Sequence, residues 1–383
     1  MNVENNRTRR PAWVEVDLGA IRRNVAAVRK WVGPECGVWA VVKGNAYGHG
    51  LVPAGLAALK GGAAGLAVAI PDEAIALRDG GVAARILVMG ISEPAAADDI
   101  VRNGLDAAVS TVELLAALSD AGLRYGTPAR VHVKVDTGMG RVGVLPESAN
   151  DFLRRVAQAP GVRWTGLMTH FATADDDPEY ALEQWRRFSA VIEAALSMRG
   201  APDPLCVHAA NSAATCRLPQ SYQATAGAAP MVRPGLLIYG ISPMDGGFGP
   251  SVEPALSLKA RVTQARNVPA GTCVSYGATV TTVRPTRLAI VPVGYADGYS
   301  RANSNRASVL LRGKRVPILG RVCMDQFVID ATESGAEIGD EVVLIGRQGD
   351  EAVTVLDEAD WAESIHHEVL TRLSDRLPRV YEG

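Results

Sequence analysis

Residues 37–50 read Gly37-Val38-Trp39-Ala40-Val41-Val42-Lys43-Gly44-Asn45-Ala46-Tyr47-Gly48-His49-Gly50. An apolar run meets a lysine, and the lysine meets a glycine-rich turn. A near-continuous apolar run rich in valine predicts a strand buried on both faces, and such strands belong to parallel sheets covered by helices. The same unit recurs along the first two-thirds of the chain. Strand candidates are 37–43, 65–70, 85–89, 106–110, 130–135, 164–170, 205–208 and a last one within 222–239. Amphipathic runs separate them. In the clearest, 180–199, Leu182, Trp185, Phe188, Val191, Ile192, Ala195 and Leu196 share one stripe of helical period. Eight such units over about 230 residues predict a (β/α)8 barrel of the TIM type. A doubly wound open sheet is the alternative. No G-x-G-x-x-G follows an early strand, so its dinucleotide-binding version loses support.

Past residue 250 the pattern changes to β-branched runs at 258–268, 274–283, 288–293, 308–312, 316–322, 327–330 and 341–346. Turn signals such as Pro269-Ala270-Gly271 and Ile338-Gly339-Asp340 divide them. This predicts a second, mainly β domain, with one helical segment at 358–371. A Gly- and Pro-rich stretch, 242–254, is the expected linker. The expected division is 12–245 for the barrel and 246–383 for the β domain, with 1–11 a flexible N-terminal extension. Residues 13–16 look like a strand, and Asp17 is a plausible cap for a helix over 18–32.

Composition narrows the function classes. The 383 residues are 48% apolar and 21% charged, with a formal net charge of −2. No basic excess argues for nucleic acid or an anionic membrane. The longest uncharged apolar stretches run to about ten residues, half of what a membrane span needs. Residues 1–10 are polar and lack a signal-peptide core, so the cytoplasm is the expected location. Five widely spaced cysteines, with no C-x-x-C, speak against a disulfide framework and a zinc site, and no metal is expected. A soluble enzyme or binding protein remains.

In a barrel of this type, chemistry sits at the C-terminal ends of the strands. Lys43 ends the first barrel strand. An ammonium there is costly unless paired or neutralised, and a lysine so placed can form a Schiff base with a carbonyl cofactor. Position alone equally suits a rim lysine that snorkels to solvent. Lys134-Val135-Asp136-Thr137-Gly138-Met139-Gly140-Arg141 ends another strand and delivers an arginine, suited to carboxylate or phosphate; a salt bridge with a tight turn is the plainer alternative. His170 and Arg233 also stand at strand ends, where a satisfied core histidine and a surface arginine are the ordinary readings. Ser212 follows a strand at a possible helix start, where a hydroxyl and backbone N–H groups can hold a phosphate or simply cap a helix. In the β domain Tyr276 sits in a tight Ser275-Tyr276-Gly277 context, by itself most simply a packed aromatic. No paired-carboxylate, Ser-His-Asp or H-E-x-x-H arrangement competes with the lysine-centred reading.

Taken together, these motifs resemble one family. Ala40–Gly50 in the stretch quoted above is similar to the pyridoxal-phosphate attachment motif of alanine racemases. The likeness continues through His132–Arg141, Thr169-His170-Phe171-Ala172, Ala210-Asn211-Ser212, Val232-Arg233-Pro234-Gly235, Ser275-Tyr276-Gly277, Gly294-Tyr295-Ala296-Asp297-Gly298 and Cys323-Met324-Asp325-Gln326. Several motifs in one order, across both domains, are far more specific than any of them alone. The resemblance implies a pyridoxal 5'-phosphate enzyme that interconverts L- and D-alanine, built as a barrel followed by a β domain. It implies a homodimer whose active sites join the barrel of one subunit to the β domain of the other, and a D-alanine supply for cell wall.

It further implies residue roles. Lys43 carries the cofactor and is one catalytic base; Tyr276 of the partner subunit is the other. One base on each face removes and returns the α-proton without turning the substrate over. Arg233 faces the pyridine nitrogen with His170 behind it, and an arginine, which does not readily release a proton, leaves that nitrogen largely unprotonated. Arg141 contacts the substrate carboxylate and the cofactor's phenolic oxygen, and Lys134 matches a position often carbamylated. Tyr47, Ser212, Gly235 and Leu236 help to hold the phosphate. Met324 and Asp325, from the partner, border the substrate, and Tyr295 lines the entrance. One position departs from the family pattern: His367 stands where a phosphate-contacting tyrosine is common. The expectation is weaker cofactor retention or a roomier pocket that admits serine, which leaves a broader amino-acid racemase as the alternative function.

Overall fold

The first strand, β1 (Ala12–Asp17), leads into a helix, Leu18–Val32, and then into eight parallel strands that close on themselves. The computed structural model describes residues 10–199, 203–223, 226–244 and 248–383. The barrel strands are β2 (Gly37–Val41), β3 (Gly65–Val68), β4 (Arg85–Val88), β5 (Asp106–Val109), β6 (Ala129–Lys134), β7 (Val162–Met168), β8 (Leu205–His208) and β9 (Ala228–Val232). Closure comes from β9 pairing back on β2, with Gly37 opposite Met231 and Val38 opposite Val232. All eight coincide with the apolar runs of the sequence, because strands covered by helices outside and side chains inside must be apolar on both faces. Every residue of β3, β5 and β8 is buried.

The barrel interior is a packed core. Trp39 and His132 reach into tight space and meet edge to face, with ring centroids 6.2 Å apart. Two glycines make room for them. A Cβ on Gly65 would lie 2.3 Å from the Trp39 ring and 2.8 Å from the Arg85 carbonyl, and a Cβ on Gly166 would lie 2.2 Å from His132 Nδ1. Three of the outer helices start on side-chain caps, from Thr111, Asp177 and Asn211. Asp177 accepts the N–H groups of Glu179 and Tyr180 at 3.1 Å, and with Pro178 in the first turn it starts the long helix, Pro178–Met198, two residues before the periodic stripe suggests.

The chain divides into two units. One comprises residues 19–46 and 51–253; the other takes the chain up to Leu18, residues 47–50 and residues 254–383. The second unit is mainly β. Its strands are β10 (Leu256–Arg261), β11 (Gln264–Val268), β12 (Cys273–Val274), β13 (Val280–Thr281), β14 (Thr286–Val291), β15 (Ser308–Leu311), β16 (Lys314–Leu319), β17 (Phe327–Asp330), β18 (Glu341–Gln348), β19 (Glu351–Val353) and β20 (Arg379–Glu382). The main sheet runs β11-β14-β17-β16-β15-β18-β10-β1-β20, and β19 pairs with β18.

Here the structure corrects the sequence reading. The strand β1, expected in the barrel domain, pairs antiparallel with β10 and parallel with β20. Its strict alternation, with Ala12, Val14 and Val16 buried, marks a sheet covered on one face rather than a barrel strand. On the other side of the linker, Glu253 stays with the barrel unit: Asn24 donates to its carbonyl at 2.8 Å and accepts its N–H at 2.8 Å. Of the expected extension 1–11, residues 1–9 lie outside the described residues; Arg10 is tied to Asp297 at 2.7 Å. The run 258–268 breaks into β10 and β11, and 274–283 into two short strands around a 3-10 turn at Tyr276–Ala278. The helical segment 358–371 is two helices, Val355–Trp361 and His366–Thr371, with Glu363 left-handed at φ 51° between them.

Gly65→Ala should destabilise the barrel by about 1–3 kcal/mol through overpacking against Trp39 and the β4 backbone. The measurement is thermal unfolding; an unchanged midpoint would show that Trp39 gives way freely.

Candidate active site

The polar residues at the C-terminal ends of the barrel strands converge. Lys43 stands two residues beyond β2, Lys134 closes β6, Arg141 lies in the following loop, and His170 stands two residues beyond β7. Ser212 opens the helix after β8, and Arg233 follows β9 directly. Lys43, Lys134, Arg141 and Arg233 are near enough to raise one another's energy. Burial, then Arg141 and Arg233, lower the pKa of Lys43, with Glu73 opposing; Lys43 is nonetheless solvent-accessible at the barrel end. For Lys134, burial and then Arg233, Arg141 and Lys43 bring the pKa down to about 8, against a weaker pull from Asp136. His170 falls well below its usual value through burial and the same four cations, so it is neutral at physiological pH.

The local backbone explains how Lys43 is presented. Gly44, Asn45, Ala46 and Tyr47 all have positive φ, between 53° and 63°, and form one left-handed turn. That conformation costs roughly 1–2 kcal/mol for each non-glycine residue. Side chains hold it in place. Glu73 Oε1 accepts the Gly44 N–H at 2.6 Å, and Asn45 Oδ1 accepts the Leu51 N–H at 2.8 Å. Glu73 also accepts the Ala69 N–H at 2.9 Å, which links this turn to the end of β3. Glu73 was not among the sequence candidates; it sits on an ordinary helix, and only the fold brings it to Gly44.

The Arg141 loop is built around a carboxylate. Asp136 accepts the N–H groups of Gly138, Met139, Gly140 and Arg141 at 2.8–3.1 Å. Burial alone would raise its pKa, and these four donors lower it instead. Gln184, fully buried on the long helix, joins the loops: it donates to the His170 carbonyl at 3.1 Å and accepts the Ala172 N–H at 2.8 Å.

Arg233 is buried, and four of its five N–H hydrogens are accounted for. Nη1 faces His208 Nδ1 at 2.9 Å and the His208 carbonyl at 2.6 Å; Nη2 faces the carbonyls of Thr169 and Ala209 at 2.8 and 3.1 Å, and His170 Nδ1 at 3.3 Å. The Nε hydrogen is left for another acceptor. Ser212 Oγ receives the N–H groups of Gly235 and Leu237 at 3.0 and 3.4 Å, just where the 3-10 turn Leu236–Tyr239 begins. The cluster therefore offers an unbonded amine, a donor for a ring nitrogen, a hydroxyl with backbone N–H groups for an anion, and excess positive charge. A phosphorylated pyridine aldehyde matches that donor set.

The remaining sequence candidates lie in the β unit. Tyr276, Tyr295 and Met324 are exposed at 74%, 43% and 53%. Their three motifs are joined: Ser275 Oγ donates to the Arg321 carbonyl at 2.7 Å, the Tyr295 N–H to the Cys323 carbonyl at 3.1 Å, and the Ala296 N–H to the Met324 carbonyl at 3.0 Å. Ser275 and Ala278 are left-handed, at φ 61° and 44°, so the Tyr276 phenol is held outward by a strained turn. Asp325 pairs with Arg376 at 2.5 Å. His367 and Tyr47 are neighbours within this unit, with ring centroids 5.8 Å apart.

Comparison with known proteins is consistent across the chain. The family profile described as "Alanine racemase, N-terminal domain" matches residues 16–243, and "Alanine racemase, C-terminal domain" matches residues 255–381. A curated alanine racemase from Halothermothrix orenii is 40% identical, with 99% of each chain covered. One from Symbiobacterium thermophilum is 42% identical, with 98% of each covered. Among solved structures, the alanine racemase of D-cycloserine-producing Streptomyces lavendulae superposes with a TM-score of 0.91 at 38% identity over 98% of both chains. That of Bacillus anthracis, with bound L-Ala-P, gives 0.89 at 38% identity over 98% of this chain and 96% of the other.

Burial, reinforced by the neighbouring cations, makes Lys134 an unusually acidic amine. In cofactor-free protein, competitive acylation followed by peptide mass spectrometry should give Lys134 a titration midpoint near 8. A midpoint close to the free-lysine value of about 10.4 would contradict the burial and crowding of this amine.

Proposed function

The chain belongs to the alanine racemase family, and on that premise we propose that it interconverts L- and D-alanine with pyridoxal 5'-phosphate held on Lys43 and with Tyr276 of the partner subunit as the second base. Alanine racemase is the activity the relatives carry over essentially their full length. The broader, serine-accepting alternative is not favoured. The observation that carries the cofactor assignment is the geometry of Arg233, whose four committed hydrogens leave Nε–H for a ring nitrogen beside an unbonded Lys43 amine.

Pyridoxal 5'-phosphate supplies an aldehyde that a lysine amine can capture and a conjugated ring that takes up the electron pair left when the α C–H bond breaks. The protein's part is binding, orientation and proton handling. Ser212, with the backbone of Gly235 and Leu236, and Tyr47 with His367 would hold the phosphate. Arg141 would bind the substrate carboxylate, and Arg233 would donate to the ring nitrogen without surrendering its own proton.

Racemisation needs a proton removed from one face of the α-carbon and another delivered to the opposite face. Burial and then Arg141 lower the pKa of Lys43, which favours the amine form that takes or returns the proton on its side. The second base must come from elsewhere, since the described residues at this end of the barrel are chiefly cations and a neutral histidine. Tyr276 answers that need on a second copy of the chain: it is a phenol displayed on an exposed, braced turn together with Tyr295 and Met324. A homodimer with shared sites follows from this reading. Lys134 extends it. Its amine, near pKa 8, is partly neutral at cellular pH and can add CO2 with release of a proton, becoming a carbamate anion beside Arg141. No described helix is long and apolar enough to cross a membrane.

In D2O, L-alanine with the purified holoenzyme should give α-deuterated alanine of both configurations, and borohydride should fix the cofactor on Lys43. Tyr276→Phe should cut racemisation by about 10²–10⁴-fold while the yellow chromophore persists. Full activity in Tyr276→Phe would remove the two-base assignment. His367→Tyr should lower the cofactor dissociation constant, and an unchanged constant would show that His367 does not limit cofactor retention.

A further inference from the structure

Beneath the Lys43 end of the barrel runs a line of fully buried polar side chains that the mechanism above does not use. Asp106 opens β5 at the opposite, N-terminal end of the barrel and is paired there with Arg85 of β4 and Arg130 of β6. His132 Nε2 of β6 lies 3.3 Å from Asp106 Oδ2. His132 Nδ1 is 2.7 Å from His208 Nε2 of β8, and His208 Nδ1 is 2.9 Å from Arg233 Nη1. Asp106, His132 and His208 are all inaccessible to solvent.

The direction of every proton in this line can be assigned. A guanidinium only donates, so His208 Nδ1 accepts and its Nε2 carries the hydrogen. That hydrogen goes to His132 Nδ1, so the His132 hydrogen is on Nε2, which has no hydrogen-bond partner and meets Asp106 as a charge contact at 3.3 Å. The assignment requires both imidazoles to be neutral, and burial lowers the pKa of each, with Arg233 adding to the effect. Asp106 is anionic despite its burial, which would raise its pKa, because His132, Arg85 and Arg130 outweigh that. Cys206 Sγ also lies close to the two histidines. Two nitrogens on one tetrahedral zinc would stand roughly 3.3 Å apart, further than these, which are bonded to each other.

Among the described residues Arg233 otherwise bonds carbonyl oxygens and His170, so Asp106 is the carboxylate to which its charge is coupled, through two histidine hydrogen bonds and the His132–Asp106 charge contact. We propose that Asp106 and His132 are positioning residues for Arg233, acting through His208 to orient the guanidinium and keep its Nε–H available to the cofactor ring nitrogen. This rests on the reading of Arg233 as the ring-nitrogen partner. The line reaches across the barrel, so residues at the face remote from the chemistry set the geometry of the cofactor site. Gly166 is part of the same device, since the His132 ring occupies the space its Cβ would need.

The test is a double-mutant cycle on cofactor affinity, followed by absorbance titration of pyridoxal 5'-phosphate. Asp106→Ala and His132→Leu are the probes; the second leaves the Asp106–Arg85–Arg130 cluster intact should the first fail to fold. Each should raise the dissociation constant about tenfold in the natural chain and less than about twofold in an Arg233→Met background, because coupled residues are not additive. Arg130→Gln, which leaves Arg85 on Asp106, should lower thermal stability and leave cofactor affinity unchanged. Equal effects of the probes in both backgrounds would reduce Asp106 and His132 to a structural role and overturn the proposal. If Arg233→Met alone leaves affinity unchanged, the ring-nitrogen reading falls and takes the proposal with it. Independently, ¹⁵N NMR of the cofactor-free protein should show His132 and His208 neutral with the hydrogen on Nε2. A hydrogen on His132 Nδ1 would break the line.

Discussion

Crowding of positive charge at one end of the barrel is the constraint on which the site depends. Lys43, Lys134, Arg141 and Arg233 share a partly enclosed space, where burial and then the neighbouring cations make the two lysines harder to charge. Such an arrangement is unfavourable unless it does something. Together with burial it lowers the pKa of Lys43, keeps His170 neutral and attracts anions. A phosphorylated cofactor and a substrate carboxylate are the partners that relieve the repulsion. Among the described residues the carboxylates close by are already engaged: Asp136 is saturated by four backbone donors, and Glu73 is used on the turn that presents Lys43.

The backbone contributes a second constraint. Two strained segments hold the two groups assigned to proton transfer: the left-handed turn after Lys43, and the left-handed residues flanking Tyr276. Both are over-determined by hydrogen bonds from residues distant in sequence. Strain of this kind persists where a side chain must be aimed, because a relaxed turn would let the amine or the phenol choose other directions. The β unit binds its three motifs together through two main-chain hydrogen bonds and the Ser275 hydroxyl, so Tyr276, Tyr295 and Met324 are displayed as one rigid set.

The eight barrel strands were legible because burial on both faces leaves an uninterrupted apolar signal. β1 was legible as a strand but not as to its sheet, since an alternating pattern states which face is covered and not by what. β20 escaped notice: four residues, Arg379–Glu382, carry no periodicity of their own and form a strand because β1 offers them an edge. The run 358–371 looks continuous in sequence because a single left-handed residue, Glu363, leaves no mark on hydrophobic spacing. Lys43, Lys134, Arg141, His170, Ser212 and Arg233 could be selected by a simple rule, that reactive side chains sit at the C-terminal ends of barrel strands. Asp106, His132 and His208 could not, because polar residues within apolar strands look like interruptions until the barrel closes.

From the sequence alone came the alternation that requires a barrel, the change to β structure after residue 250, and the motifs that together mark the family. These are local or additive signals, each carried by residues near one another in the chain. Tertiary structure alone decided that Glu73 steadies the turn after Lys43, that Gln184 joins two loops, and that Asp106 is connected to Arg233 through two histidines. Those links join strands and helices far apart in the sequence, and a hydrogen bond needs its donor and acceptor within about 3 Å. That distance exists only once the barrel has closed.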